Sequence, residues 1–362
     1  MTPAARQRLA GLDGIRGLAA LFVVVNHVFL RAFPGYPVDH APFWAAPFIY
    51  GRFAVVVFIV VSGFSLALSP ARHGWRLDGI RRFARRRAWR ILPAYWAALA
   101  FSLAVAWIIT PPPGQAPPGA RSVVVNGLLV QNVVGAPSPN RSFWSMAIEA
   151  QLYVLLPLLV LAVRHWGAAA MLAAVTGVVV LVGSFGPHGF VTQSPPDLAA
   201  LFALGIVAAG VARRSLPWGW LALAAVAPVL FTIWWRGSVW TLGHLFWVDL
   251  ALGPAIACLL LGLAAGRPAW LLRALDARPL RALGESSYSL YLTHGPIVVL
   301  ICERVVVGRG AWAFAAALAL ALPATIVFAR AFAAVFEAPF REHRGWPWAL
   351  RRDRLHAGGV PA

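Results

Sequence analysis

Long apolar segments follow one another along almost the whole chain, separated by short polar or arginine-containing loops. A helix needs about 20 mostly apolar residues to cross a bilayer. Lipid offers the backbone no hydrogen-bond partner, so segments of this length must be helical. The candidate spans are 14–32, 46–68, 91–110, 142–163, 168–186, 197–212, 217–235, 246–266, 285–306 and 311–336. The pattern predicts an all-α integral membrane protein with about ten transmembrane helices.

Arginine is distributed unevenly between alternate loops, and this bias predicts the orientation. All 31 basic residues are arginine, because the chain contains no lysine. With the N-terminus in the cytoplasm, 23 arginines fall inside and 7 outside, as the positive-inside rule requires. We therefore expect both termini to be cytoplasmic. Residues 1–340 would form a single transmembrane domain, and residues 341–362 would form a basic cytoplasmic tail.

The composition excludes several classes of protein. Hydrophobic residues make up 60% of the chain and charged residues 12%, whereas soluble domains contain about 25% charged residues. The net charge of +19 is no sign of nucleic-acid binding, because the arginines lie between apolar segments and not on a polar domain. Membrane lipid is the expected surrounding, and we expect no nucleic-acid partner. The histidines and cysteines lack metal-ligand spacing, so no metal site is predicted.

Ionisable side chains inside the spans are the first candidates for function, because such groups are costly in lipid. Arg16 and His27 are 11 residues apart in the first span, which places them about 16 Å apart along one helix face. A neutral histidine is suited to taking a proton from a hydroxyl near pH 7. In the ninth span Tyr291 and His294 share a face, with His294 at a depth comparable to that of His27. A packed histidine beside a proline kink is the structural alternative for His294.

A carboxylate in the fourth span and a pair of arginines before the third span also invite two interpretations each. Glu149, which shares a face with Tyr153, would be a partner of His27 or of substrate. Alternatively, it would form a structural ion pair, with Arg141 or Arg52 as its partner. The two arginines before the third span are Arg87 and Arg90. Two forked guanidinium groups at a helix N-terminus suit a phosphate-bearing ligand. The same arginines would also set the topology and contact anionic lipid head groups.

Taken in chain order, six segments resemble the membrane-bound acyltransferase family three, the bacterial O-acyltransferases that modify sugars. The matching segments are Leu12–Gly17 followed by His27, Phe58–Phe64, Arg87–Pro93 with Tyr95 and Trp96, Trp144 and Ser145 with Glu149 and Tyr153, Ser287–His294, and Glu337–Pro339. The resemblance implies a ten-helix core in the bacterial inner membrane. It also implies transfer of an acyl group, by default acetyl, from cytoplasmic acyl-coenzyme A to a carbohydrate hydroxyl at the outer face.

The resemblance further implies roles for individual residues. His27 would be the catalytic histidine, Arg16 its partner arginine, and Glu149 an acid that orients the imidazole. Arg87 and Arg90 would bind the phosphates of coenzyme A. The residues expected to contact or support substrate are Asp13, Trp144, Ser145, Tyr153, Tyr291 and His294. Direct attack by the acceptor and an acyl-histidine intermediate both remain open.

Three functions are compatible with these patterns. The first is acylation of a cell-envelope or lipid-linked glycan, by this chain alone or with a separate extracytoplasmic transfer partner. The second is acylation of a small secondary metabolite such as a glycosylated macrolide. The third belongs to another class, namely transport of a polar substrate or proton along the line from Arg16 through His27 to Glu149.

Overall fold

The protein is seen in a computed structural model that describes residues 9–38, 40–109 and 117–343, and these residues form helices and no β-strand. The α-helices are α1 (Leu12–Ala32), α2 (Arg52–Arg72), α3 (Ile80–Ile108), α4 (Ala120–Gly127), α5 (Gln131–Val134), α6 (Phe143–Trp166), α7 (Ala168–Phe185), α8 (His188–Gln193), α9 (Asp197–Val211), α10 (Trp218–Gly243), α11 (Leu245–Ala264), α12 (Ala269–Leu275), α13 (Arg278–Glu285), α14 (Ser287–Leu300), α15 (Gly310–Phe336) and α16 (Ala338–His343). A 3₁₀ helix spans Ala46–Tyr50, and a π-helical turn spans Ile301–Val305.

Eight of these helices are long and apolar enough to cross a membrane, which confirms the predicted all-α membrane class. They are α1, α2, α3, α6, α7, α10, α11 and α15. The two other predicted spans are helical but shorter: α9 has 15 residues and α14 has 14, continued by the π-helical turn. Among the described residues, length and composition therefore identify eight candidate spans, and the count of about ten stays a prediction. Of the predicted tail 341–362, residues 344–362 lie outside the described part of the chain.

The basic stretch before the third predicted span belongs to the same helix as the span. Helix α3 begins at Ile80, eleven residues before the predicted start at Ile91. Arginine and alanine favour helix, and the stretch contains no proline before Pro93. Arg87 and Arg90 consequently lie in the second and third turns. The expectation that they flank a helix N-terminus is wrong, so any anion binding by them must come from their own charges.

Glycine allows several helix pairs to approach closely. A Cβ at Gly63 of α2 would overlap the carbonyl of Phe202 in α9, and a Cβ at Gly205 would overlap the carbonyl of Val60. Gly63 and Gly205 are therefore close-packing residues between α2 and α9. Gly17 of α1 has the same function, because its bare backbone lies against Gly284 of α13. Small residues at helix interfaces replace the hydrophobic driving force that lipid does not supply.

The polar residues lie among the central helices of the bundle. Of the residues in an apolar 18-residue segment of each helix, 61% are buried in α2 and 56% in α1. The corresponding share is 11% in both α7 and α10. Helices α7 and α10 therefore lie at the periphery of the bundle, with most of their side chains exposed to lipid. Helices α1, α2, α3, α6 and α14 contribute the side chains of the site described next.

Candidate active site

Two histidines from distant parts of the sequence meet between α1 and α14. Nδ1 of His27 lies 3.1 Å from Nε2 of His294, and the two ring centres are 4.8 Å apart. His294 is fully buried, and His27 is partly buried. The Ser142 hydroxyl, at the start of α6, lies 3.2 Å from the same Nε2 of His294. The structure thus brings together the two histidines that the sequence placed at similar depths.

The hydrogen bonds of His294 favour one tautomer of His27. Nδ1 of His294 lies 3.0 Å from the carbonyl oxygen of Leu290, and a carbonyl can only accept, so this nitrogen carries a proton. In the neutral ring, Nε2 of His294 then accepts a hydrogen bond. Nδ1–H of His27 donates to it, which leaves the lone pair of His27 on Nε2. This tautomer is the one that can remove a proton from a ligand.

His27 lies in the second half of its helix. It is the sixteenth of the 21 residues of α1 and is followed by five more, which places it about 7.5 Å from that end. His27 is therefore closer to the end of α1 at Ala32 than to the end at Leu12. Arg16, in the second turn of α1, lies near the other end of the same helix.

A narrow cavity with a volume of about 40 Å³ opens beside Arg16. Its wall contains two cations, Arg16 and Arg90, and a single acid, Glu149. Among the residues that the structure describes, neither arginine forms an ion pair. Nε of Arg16 is buried without a hydrogen-bond partner in that part of the chain. The cavity therefore carries excess positive charge, which favours an anionic ligand.

Glu149 is held by hydroxyl groups. The Ser62 hydroxyl donates to Oε1 of Glu149 at 2.9 Å, and the Tyr153 hydroxyl donates to the same oxygen. Arg52 pairs with other acids, so the proposed ion pair between Glu149 and Arg52 is wrong. The imidazole of His27 has His294 as its hydrogen-bond partner, so the orienting role expected of Glu149 falls to His294. Glu149 instead faces the cavity that Arg16 lines.

The two arginines expected to bind phosphates occupy different environments. Arg90 lines the cavity, whereas Arg87 lies over the rings of Phe83 and Tyr153, at 5.9 and 6.0 Å from their centres. Earlier in the same stretch, Arg82 donates a 2.7 Å hydrogen bond to Asp78, which lowers the pKa of that exposed carboxyl group. Arg90 is therefore the member of the stretch that can contact a ligand inside the cavity.

A layer of tyrosine and serine separates the cavity from the histidine pair. The hydroxyl groups of Ser145 and Tyr291 lie 2.6 Å apart, and both residues line the cavity. On its other side, the Tyr291 ring lies 5.8 Å from the His294 ring. The expected supporting residues Ser145, Tyr153 and Tyr291 are therefore brought together. Asp13 lies in the first turn of α1, where its carbonyl packs against Gly284 and not in the cavity wall.

One buried ion cluster was not foreseen from the sequence. Arg52 at the start of α2 donates to Asp249 of α11 at 2.5 Å and to Asp197 of α9 at 2.9 Å. The two carboxylates are 0% and 1% exposed. The guanidinium group of Arg52 also lies 5.5 Å from the ring centre of Trp144. The only sequence signal was the presence of costly charges in three separate apolar segments.

Comparison with known proteins supplies the family context. The profile of the family described as "Acyltransferase domain" matches residues 9–330. YrhL of Bacillus subtilis strain 168 is 28% identical over 335 residues, covering 81% of this chain and 49% of that protein. The peptidoglycan O-acetyltransferase OatA of Listeria monocytogenes is 24% identical, with coverages of 82% and 50%. The O-acetyltransferase OatA of Staphylococcus aureus is also 24% identical, with coverages of 83% and 52%.

The chain spans about half the length of the curated relatives that it matches. No solved structure matches it significantly.

Proposed function

Because the chain belongs to the acyltransferase-domain family, as the match over residues 9–330 shows, we propose that it is a membrane-embedded O-acetyltransferase. The donor is acetyl-coenzyme A from the cytoplasm. The acceptor is a hydroxyl group of a cell-envelope carbohydrate, since the Listeria relative is named as a peptidoglycan O-acetyltransferase. The observation that carries the proposal is the histidine pair, with a basic Nε2 on His27, next to a cationic cavity.

The charge of the cavity supports an anionic donor. Arg16 and Arg90 have no ion-pair partner among the described residues, and a single acid shares the wall with them. Guanidinium groups form charge-assisted hydrogen bonds with phosphate oxygens. The phosphates of coenzyme A would be held at Arg90, and the acyl end would reach the histidines after the hydrogen bond between Tyr291 and Ser145 opens.

His27 would act as the general base. Its Nε2 takes the proton from the acceptor hydroxyl while the oxygen attacks the thioester carbonyl carbon. The carbon–sulfur bond breaks, and the departing sulfur receives the proton from Nε2. The products are the ester and free coenzyme A, so no further reactant is required. His294 is a positioning residue in this scheme, because it acts on the substrate only through His27.

The proposed topology has ten membrane-spanning helices, with α9 and α14 completing the set, and both termini in the cytoplasm. The positive-inside distribution of arginines supports this orientation. It places Arg16 and Arg90 at the cytoplasmic end and His27 near the outer end of α1. The membrane is then the bacterial inner membrane, where cytoplasmic acetyl-coenzyme A is available.

Release of free thiol from acetyl-coenzyme A by the purified full chain in detergent tests the proposal. The assay is run with and without soluble peptidoglycan fragments. His27→Ala should abolish acceptor-dependent release. His244→Ala is the matched control, because His244 is an exposed histidine at the end of α10, and it should retain the wild-type rate.

Equal rates for wild type and His27→Ala would contradict the proposed base. Thiol release with a glycosylated small molecule, but with no glycan, would assign a metabolite as the acceptor. Uptake of a polar solute into vesicles, without any dependence on coenzyme A, would favour the transporter hypothesis.

A further inference from the structure

A second, larger cleft lies beside the first turn of α6. It has a volume of about 500 Å³, which is in the range of about 300–1,000 Å³ found for ligand sites. Its wall contains three amide side chains, one indole and one arginine as its main binding groups: Gln131, Asn132, Gln193, Trp144 and Arg52. None of the residues that line it is an acid.

The cleft and the histidine pair lie on two sides of the same helical turn. Nε2 of Gln131, in the cleft wall, donates a 2.8 Å hydrogen bond to the carbonyl oxygen of Phe143. The preceding residue, Ser142, contacts His294, and the following residue, Trp144, lines the cleft. The first residues of α6 therefore lie between the cleft and His294.

The electrostatics of this cleft differ from those of the cavity beside Arg16. Its single cation, Arg52, is compensated by the buried carboxylates of Asp197 and Asp249. The other groups are neutral amides, hydroxyls and an indole. A cleft without uncompensated positive charge does not attract a phosphate. It offers hydrogen bonds and an aromatic face to a neutral, polar ligand.

The groups that can bind a ligand are partly preorganised. Asn132 is fixed by hydrogen bonds with Gln151 and Ser194, at distances of 2.9 to 3.2 Å. Gln193 is exposed and forms no hydrogen bond with another residue in the described ranges, so its amide is available. Gly135, with a φ of 70°, faces the Gln193 amide, and a side chain there would be strained and would narrow the cleft.

From this cleft we infer the binding site of the acceptor carbohydrate. The apolar face of a sugar ring packs on the Trp144 indole, and its hydroxyl groups bond to the Gln193 amide and to the neutral groups around it. This inference rests on the proposed acetyl transfer and adds the acceptor site to it. The donor and acceptor would thus approach the histidine pair from different cavities, one cationic and one neutral.

Titration calorimetry of the purified full chain in detergent, with no donor present, tests the site. The ligands are β-1,4-linked N-acetylglucosamine oligomers of one to four rings. We expect saturable binding to wild type, and an affinity at least tenfold weaker for both Trp144→Leu and Gln193→Ala. The Gln193 variant covers the case in which loss of Trp144 disturbs Arg52. Trp234→Leu is the matched control, since Trp234 is 79% exposed on α10, and it should bind like wild type.

Wild-type affinity in both cleft variants, or no binding of any sugar to folded protein, would overturn the inference. Binding that strengthens with added rings would indicate a glycan, and equal binding of the monosaccharide would indicate a small glycoside. Because the cleft lacks uncompensated charge, added salt should leave the affinity unchanged. Because the assay needs no donor, it separates the binding site from the proposed reaction. If the chain binds sugar through the cleft residues but releases no thiol, acetyl transfer is refuted and the binding site stands.

Discussion

Replacing His294 tests the hydrogen-bond relay that fixes the basic nitrogen of His27. In His294→Ala the Nδ1–H group of His27 loses the acceptor that lies 3.1 Å away, while the cavity beside Arg16 keeps its wall. The imidazole can then rotate or change tautomer, so its lone pair no longer points reliably at the acceptor hydroxyl. The effect should therefore fall on the chemical step and not on donor binding.

The magnitude follows from the value of one buried hydrogen bond. Leaving a buried polar group without its partner costs about 1–3 kcal/mol. Each 1.4 kcal/mol of lost transition-state stabilisation lowers the rate by about tenfold. We expect kcat to fall by about 5- to 150-fold, with the KM for acetyl-coenzyme A changed by less than about twofold on the same scale. A water molecule that enters the space of the lost ring and accepts the bond would bring the effect to the lower limit.

Steady-state thiol release gives kcat and KM, and a conservative variant separates positioning from packing. His294→Gln retains a side-chain oxygen that can accept from His27, so it should recover part of the lost rate. Nitrogen-15 spectra of histidine-labelled protein should show an unprotonated Nε2 for His27 in wild type and a mixture of tautomers in His294→Ala. A kcat within twofold of wild type for His294→Ala, or equal losses for the Ala and Gln variants, would refute the relay.

Three further predictions concern the charged groups. Glu149→Gln keeps the acceptor for its hydroxyl partners but removes the single negative charge from the cavity wall. It should therefore lower the KM for acetyl-coenzyme A about tenfold (about 1.4 kcal/mol) without changing the melting temperature; an unchanged KM would contradict the electrostatic account of the cavity. Arg90→Gln should raise the KM for acetyl-coenzyme A about tenfold or more, because a charge-assisted hydrogen bond contributes about 1.5–3 kcal/mol. The Arg90 variant should leave the KM for acetyl-pantetheine, which lacks phosphate, unaltered. Arg82→Gln is the control, because Arg82 is exposed and pairs with Asp78. Equal effects of Arg90→Gln on both donors would contradict phosphate binding. Arg52→Leu leaves two buried carboxylates without their cation and should destabilise the protein by about 3–5 kcal/mol; Asp249→Asn should cost less in thermal unfolding, and the reverse order would refute the cluster.

The sequence carried enough information for the membrane class, because apolar length and arginine bias are properties of single segments. It also placed Arg16, His27 and Glu149 in central spans, since each is a costly group in lipid. It could not show that His27 contacts His294. The two residues are 267 positions apart, and the contact depends on which helices are neighbours and how each is rotated about its axis.

The same limit explains the errors. The depth of Arg52 made Glu149 a reasonable partner, but helix rotation directs Arg52 towards Asp197 and Asp249. Arg87 and Arg90 were expected to share one role in phosphate binding. In the structure Arg87 lies over the ring of Tyr153, and of these two arginines Arg90 alone lines the cavity. The predicted start of α3 was wrong because hydropathy marks only the apolar part of a helix. The arginine-rich residues before that part continue the same helix back to Ile80.

The arrangement of charge along the bundle would allow the proposed cytoplasmic donor, an anion, to serve the proposed reaction near the outer face. Moving phosphate groups through the apolar layer would cost several kcal/mol per charge. The uncompensated arginines, Arg16 and Arg90, lie at one end of the cavity, and neutral tyrosine and serine side chains lead from it towards His294. Only the uncharged acyl end of the donor then has to pass Tyr291. A histidine that transfers a proton between hydroxyl and sulfur fits this division, because no net charge has to cross the layer at any step.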